Sequence, residues 1–112
     1  SILVPTKNRI NFTENILRNF YRQDYSKDLM ELIIGDEGES NMKSLLPEDD
    51  RIKYYCFDEI TIGEKRNKLC DLAKGDILVF MDDDDFYPNE KVSECVNKLS
   101  NSNIPNNLRS SV

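Results

Sequence analysis

The chain has 112 residues, with 15 Lys plus Arg against 21 Asp plus Glu, a net charge of −6 and no histidine. This length holds one domain with a genuine core, and the missing histidine excludes a Ser-His-Asp triad, a Cys-His nucleophile pair and His-ligated zinc. Scattered cations on an acidic chain speak against a nucleic-acid groove, and no stretch reaches the roughly 20 apolar residues of a membrane span.

Ile2-Leu3-Val4 is a continuous apolar run that predicts a buried strand stopping at Pro5. Phe12, Ile16, Leu17, Phe20 and Tyr21 share one helical face, with Asn11 and Glu14 placed for a capping box. On this reading the sequon Asn11-Phe12-Thr13 is a helix cap rather than a glycosylation site, and Asp24-Tyr25-Ser26 closes the helix. Met30 to Ile34 predicts a second strand, broken by Gly35-Asp36-Glu37-Gly38. Ser40 to Leu46 suits a short helix, and Arg51 to Phe57 a third strand. A helix from about Gly63 to Lys74 turns Leu69, Cys70, Leu72 and Ala73 inward, with Gly75 at its C′ position. Ile77 to Met81 is the strongest strand. Pro88 then opens a helix with Val92, Cys95, Val96 and Leu99 inward, and a polar tail from Ser100 to Val112 is expected to fray. Cys56, Cys70 and Cys95 form no C-x-x-C pair and read as buried thiols of a reducing, cytoplasmic compartment.

Strand and helix alternate throughout, and uniformly apolar strands imply burial on both faces. The expected fold is therefore α/β: a Rossmann-like, mostly parallel sheet with helices on both faces. Such sheets bind ligands at the carboxyl ends of their strands. The unusual polar residues fall there: Thr6-Lys7-Asn8-Arg9, Asp36-Glu37, Asp58-Glu59, and the run Asp82-Asp83-Asp84-Asp85. Four adjacent carboxylates after a buried strand repel one another, and a divalent cation relieves that repulsion. Oxygen-only ligands suit Mg²⁺ or Mn²⁺ bridging to phosphates; a solvated acidic turn is the plainer alternative. Lys65, Arg66 and Lys68, in the first turns of a helix, suggest an anionic partner such as a diphosphate, or simply a solvated basic face. Asp36 and Glu37 suit a base or ribose, or a turn beside Gly38.

Four blocks, Val4-Pro5-Thr6-Lys7-Asn8-Arg9, Leu32 to Gly38, Ile62 to Asn67 and Phe80 to Pro88, together resemble family 2 glycosyltransferases of the GT-A fold, over roughly residues 2 to 100. The resemblance implies transfer of a sugar from a nucleotide diphosphate donor, with inversion and with Mn²⁺ or Mg²⁺. It implies a donor site in which Pro5, Thr6 and Arg9 follow the first strand, with Thr6 beside the base. Asp36 and Glu37 stand at an Asp-Asp pair that contacts uracil and ribose in UDP-sugar enzymes, so a UDP-sugar is favoured, although Glu37 departs from the pattern by one methylene. Arg66, with Lys65, would face ribose or diphosphate. Asp82 and Asp83 would lie toward the donor, with Asp84 on the metal, assisted by Asp82 and Asp85.

In that family the acceptor site and general base follow the Asp-x-Asp loop, where only 86–112 remains here. The chain is thus expected to be a donor-binding half, residues 1–100, with a polar tail over 101–112, an unknown acceptor, no general base of its own, and a start that looks excised from a longer chain. Two alternatives stand beside this. One is a non-catalytic nucleotide-sugar or cation-binding module. The other is a metal-dependent phosphotransferase or phosphatase of the haloacid dehalogenase type, whose Asp-x-Asp normally ends the first strand and precedes Thr.

Overall fold

The computed structural model describes residues 1–37, 42–100 and 110–111. The strands β1 (Ile2–Lys7), β2 (Leu32–Glu37), β3 (Ile52–Phe57), β4 (Ile77–Phe80) and the two-residue β5 (Ser110–Ser111) form one sheet in the order β3-β2-β1-β4-β5. Every pairing is parallel. Helices α1 (Thr13–Tyr21), α2 (Ile62–Leu72) and α3 (Lys91–Ser100) supply the crossovers and covers.

Because successive strand residues point to opposite faces, the apolar runs feed two cores. Ile2, Val4, Leu32, Ile34 and Val79 pack under α1 and α3 with Ile16, Phe20, Val92 and Cys95. Leu3, Ile33 and Leu78 pack under α2 with Leu69 and Ala73. The expected double-faced burial is what the continuous runs encode.

Local expectations give way to tertiary structure at several points. Pro5 does not end β1. The Leu3 carbonyl accepts from Met81 N, so odd-numbered β1 residues turn their backbone groups toward β4. That strand ends at Phe80, level with Leu3, so Pro5 lies past the paired stretch on that side, where a strand tolerates proline. Gly35, Asp36 and Glu37 are not a turn but the last residues of β2. A Cβ at Gly35 would sit 2.8 Å from both Leu69 Cδ2 and Phe57 Cε2, so close packing rather than turning requires the glycine. Asn11 caps nothing: α1 is entered through a 3-10 turn at Ile10–Phe12, and Thr13 Oγ1 donates to the Ile10 carbonyl. The helix ends at Tyr21, ahead of Asp24-Tyr25-Ser26.

The short helix expected from Ser40 is a 3-10 turn over Met42–Leu45, and Ser40, with Gly38, Glu39 and Asn41, lies outside the described residues. Helix α2 closes at Ala73 in extended backbone, so Gly75 is no C′ residue; its small size instead admits Ser1, whose Oγ lies 2.8 Å from where a Cβ would be. Helix α3 begins at Lys91, beyond Pro88. Within the tail, Ser110–Ser111 pairs with β4, and 101–109 and Val112 lie outside the described residues. Of the cysteines only Cys95 is buried; Cys56 is exposed and Cys70 half-buried, because Cys56 sits on the edge strand β3.

Candidate functional site

The strand order places β2 on one side of β1 and β4 on the other, so the sheet reverses its winding direction between β1 and β4. Ligand crevices in open α/β sheets form at that switch point, outside the carboxyl ends of the strands. The register deepens it here. Leu3 is level with Phe80, the last residue of β4, while β1 runs on to Lys7. The step leaves a cleft of about 610 Å³ between the end of β1, the start of α2 and the loop after β4. Pro5, Thr6, Lys7 and Arg9 form one wall, Ile62, Gly63, Lys65 and Arg66 a second, and Asp82, Asp83 and Asp84 a third.

The acidic run divides by side-chain direction. Asp83 is buried: Thr6 Oγ1 donates to its Oδ2 at 2.6 Å, and Arg9 donates to its Oδ1 at 2.9 Å. Asp84 is exposed and meets the same guanidinium nitrogen at the longer distance of 3.5 Å. Asp82 is exposed beside them, and its carboxyl is held above its ordinary range, first by partial desolvation, then by a hydrogen bond with Asp85 and by the charges of Asp85 and Asp84. Asp85 lies off the cleft. Among the described residues no three acidic or other ligating side chains converge into a cage. The donor set is nevertheless all oxygen and crowded with like charge, which fits a hard divalent cation taking one or two protein carboxylates and completing its shell from phosphate and water.

The cations behave differently from the sequence expectation. Lys65 is not a free charge in the first turn of α2. It is buried, pairs with Glu37 Oε2 at 3.1 Å, and donates to the Thr6 carbonyl at 3.1 Å. Lys68 lies over the Phe57 ring, away from the cleft. Arg66 does reach the cleft, stacked 4.5 Å from the centre of the Phe80 ring at the end of β4. Lys7, which sequence reasoning did not single out, supplies a further exposed cation there.

Asp36 and Glu37 are both buried and lie beside the cleft rather than on its wall. Asp36 accepts from Asn8 N at 3.3 Å and from the Tyr54 hydroxyl. Asn8 presents that N–H from a left-handed backbone conformation, φ 51°, which asparagine tolerates better than most residues. Glu37 accepts from Ile60 N at 3.2 Å, and Lys65 holds its carboxyl below the usual range, against the opposing effect of burial. Asp58 and Glu59, after β3, are exposed.

Three residues that sequence reasoning passed over hold the acidic loop from beneath. Asn15, Asn19 and Gln23, four residues apart on α1 and just beyond it, reach the backbone of 83–92. Their signal was available as three amides at helical spacing on an otherwise apolar face.

Comparison with known proteins agrees with this architecture. The profile of Glycosyl transferase family 2 matches residues 1–104. A GalNAc(5)-diNAcBac-PP-undecaprenol beta-1,3-glucosyltransferase of Campylobacter jejuni is 38% identical over 93 residues, covering 76% of this chain and 29% of that protein. An uncharacterized glycosyltransferase of Haemophilus influenzae is 28% identical over 104 residues, covering 87% of this chain and 40% of the relative. The chain thus spans well under half the length of these relatives. Among solved structures, S. aureus TarS 1-349 superposes with a TM-score of 0.71 at 20% identity, over 88% of this chain and 31% of that one. The same protein in complex with UDP-GlcNAc gives 0.70 at 21% identity, over 88% of this chain and 30% of that one.

Proposed function

The chain belongs to glycosyl transferase family 2, and on that premise we propose that it is the donor-binding half of a metal-dependent, inverting transferase that takes a UDP-sugar. The observation that carries the reading is the cleft at the β1/β4 switch point, where Lys7 and Arg66 share one recess with Asp82 and Asp84. The two cations suit a diphosphate, and the acidic pair suits the cation that accompanies one. The UDP and UDP-GlcNAc complexes of the structurally similar TarS support a uridine nucleotide as donor.

Asp84 and Asp82 would hold Mn²⁺ or Mg²⁺; Asp85, off the cleft, meets this pair only through its hydrogen bond with Asp82. The bound cation would neutralise charge on the departing diphosphate. The chain's own groups orient the donor around it. Arg66, steadied by Phe80, and Lys7 face the diphosphate from the α2 and β1 walls. Thr6, fixed by Asp83 and Lys65, sets the end of β1 against which the nucleoside lies. Asp36 and Glu37 shape that end from behind, since their oxygens are already engaged by Asn8, Tyr54, Ile60 and Lys65. This reading assigns the acceptor site and the general base to none of the described residues.

Calorimetric titration of UDP with Mn²⁺ and with EDTA tests the reading. The expected result is tighter binding with metal, and loss of that gain in Asp84→Asn. Equal affinity with metal and chelator would reduce the acidic run to a solvated turn.

A further inference from the structure

The geometry points to Asn15, Asn19 and Gln23 as positioning residues that clamp the acidic loop by its backbone and so set the cation and donor site. The inference rests on the reading of 82–85 as that site. A loop of adjacent carboxylates is driven open by its own charge, and of its side chains only Asp83 is buried and neutralised, by Thr6 and Arg9. The remaining restraint comes from α1. Asn15 Nδ2 donates to the Asp83 carbonyl at 2.8 Å and to the Asp85 carbonyl at 2.7 Å. Asn19 Nδ2 donates to the Asp85 carbonyl at 2.9 Å, while its Oδ1 accepts from Tyr87 N at 3.1 Å. Gln23 repeats this one turn on, donating to the Pro88 carbonyl at 3.0 Å and accepting from Val92 N at 2.9 Å. The Tyr87 hydroxyl accepts from Asp82 N at 2.8 Å and closes the turn upon itself.

The chemistry of the clamp is specific. Lysine or arginine at these positions would seek the carboxylates and cancel the charge that a cation needs. Neutral amides hold carbonyls and N–H groups instead, and leave the oxygens of Asp82, Asp84 and Asp85 uncommitted to α1. A side-chain amide donates from its nitrogen and accepts at its oxygen at the same time, which is what Asn19 and Gln23 do at the two ends of the turn. Both are buried, with 3% and 4% of their surface exposed, so water competes little for their side-chain groups.

The test compares the native protein with Asn15→Leu and Asn19→Leu. Affinity for UDP is measured by calorimetry with Mn²⁺ and with EDTA, and amide hydrogen exchange by NMR. Loss of ligand-orienting partners lowers metal affinity about 10- to 100-fold, so Mn²⁺-dependent UDP affinity should fall at least tenfold. Affinity in EDTA should not change, and faster exchange should be confined to Tyr87 and its neighbours. Unchanged affinity would overturn the inference, as would exchange quickened equally throughout the sheet. Should Asn19→Leu fail to fold, Asn15→Leu, at a half-buried position, decides the matter. Absence of metal-dependent UDP binding in the native protein would instead refute the donor-site reading. The clamp would then be judged by exchange alone, and a Tyr87 N–H still protected in Asn19→Leu would overturn it.

Discussion

At the scale of single residues, neighbours of identical chemistry hold different posts. Asp83 and Asp84 share type and loop, yet one is buried under Thr6 and Arg9 and the other faces solvent. Asp83→Ala removes two hydrogen bonds to a charged group, each worth about 1.5–3 kcal/mol. Urea denaturation should show a loss near the size of one such bond, because Arg9 keeps solvent access. Asp84→Asn should leave stability within about 0.5 kcal/mol, as surface substitutions do, while abolishing the metal-linked gain in UDP affinity. If both variants lose stability equally, the division of the acidic run is wrong. Lys65 and Glu37 make a second pair with a clear asymmetry. Removing Lys65 alone strands a buried carboxylate, so Lys65→Met should cost more stability than Lys65→Met with Glu37→Leu, a sign that a double-mutant cycle reads directly.

At the scale of elements, two glycines invert each other: Gly35, packed inside β2, and Gly63, on the cleft wall. Gly35→Ala drives a Cβ against Leu69 and Phe57 at 2.8 Å and should destabilise by about 1–3 kcal/mol through overpacking. Gly63, in the first turn of α2, has nothing within 4 Å, and Gly63→Ala should stabilise by up to about 1 kcal/mol through helix propensity. Thermal melts of the two variants should move in opposite directions. The same contrast explains what the sequence made legible. Continuous apolar runs predict strands and their parallel order because burial on two faces is a local property. The gathering of Asp82, Asp83 and Asp84 at the end of β4 was legible because adjacency in sequence is adjacency in space. Gly35 was misread as a turn because its reason lies in α2 and β3. Lys65 was misread as a free cation because Glu37, its partner, comes 28 residues earlier. The starts of α1 and α3 were misplaced because neither Asn11 nor Pro88 begins the helix that its local signal suggests. Gln23, on a different element, supplies the acceptor for Val92 N at the start of α3.

At the scale of the molecule, the two ends of the sheet are built for different tasks. The end opposite the cleft is a tie. Glu31 accepts from Lys53 Nζ at 2.7 Å, from Lys74 N at 2.6 Å and from Ser1 Oγ, joining the starts of β1, β2 and β3 to the exit of α2. Burial pushes its carboxyl upward, but these donors outweigh it and bring the pKa down to about 2. A depressed carboxylate stabilises the fold fully above its unfolded value and loses that contribution as pH falls. The melting temperature should therefore drop between about pH 4.5 and pH 2, and Glu31→Gln should flatten that stretch of the profile. In the proposed reading the cleft end, in contrast, serves donor binding, and among the described residues no free carboxylate on its wall is left to serve transfer. An inverting displacement needs a base within hydrogen-bond reach of the acceptor hydroxyl. Asp36, Glu37 and Asp83 are buried and engaged by Tyr54, Lys65, Thr6 and Arg9. Asp82 and Asp84 face the donor and cation in the proposed reading. Asp58, Glu59 and Asp85 are exposed, and none lines the cleft. The chain alone, supplied with Mn²⁺, UDP-sugars and a panel of acceptors, should accordingly give no glycosylated product by mass spectrometry, while still binding UDP. Turnover near 1 per second, within the ordinary enzyme range of about 1–10³ per second, would mean that a base resides within these residues. Amide replacements at Asp58, Glu59 and Asp85 would then identify it by which one abolishes product and leaves UDP affinity intact.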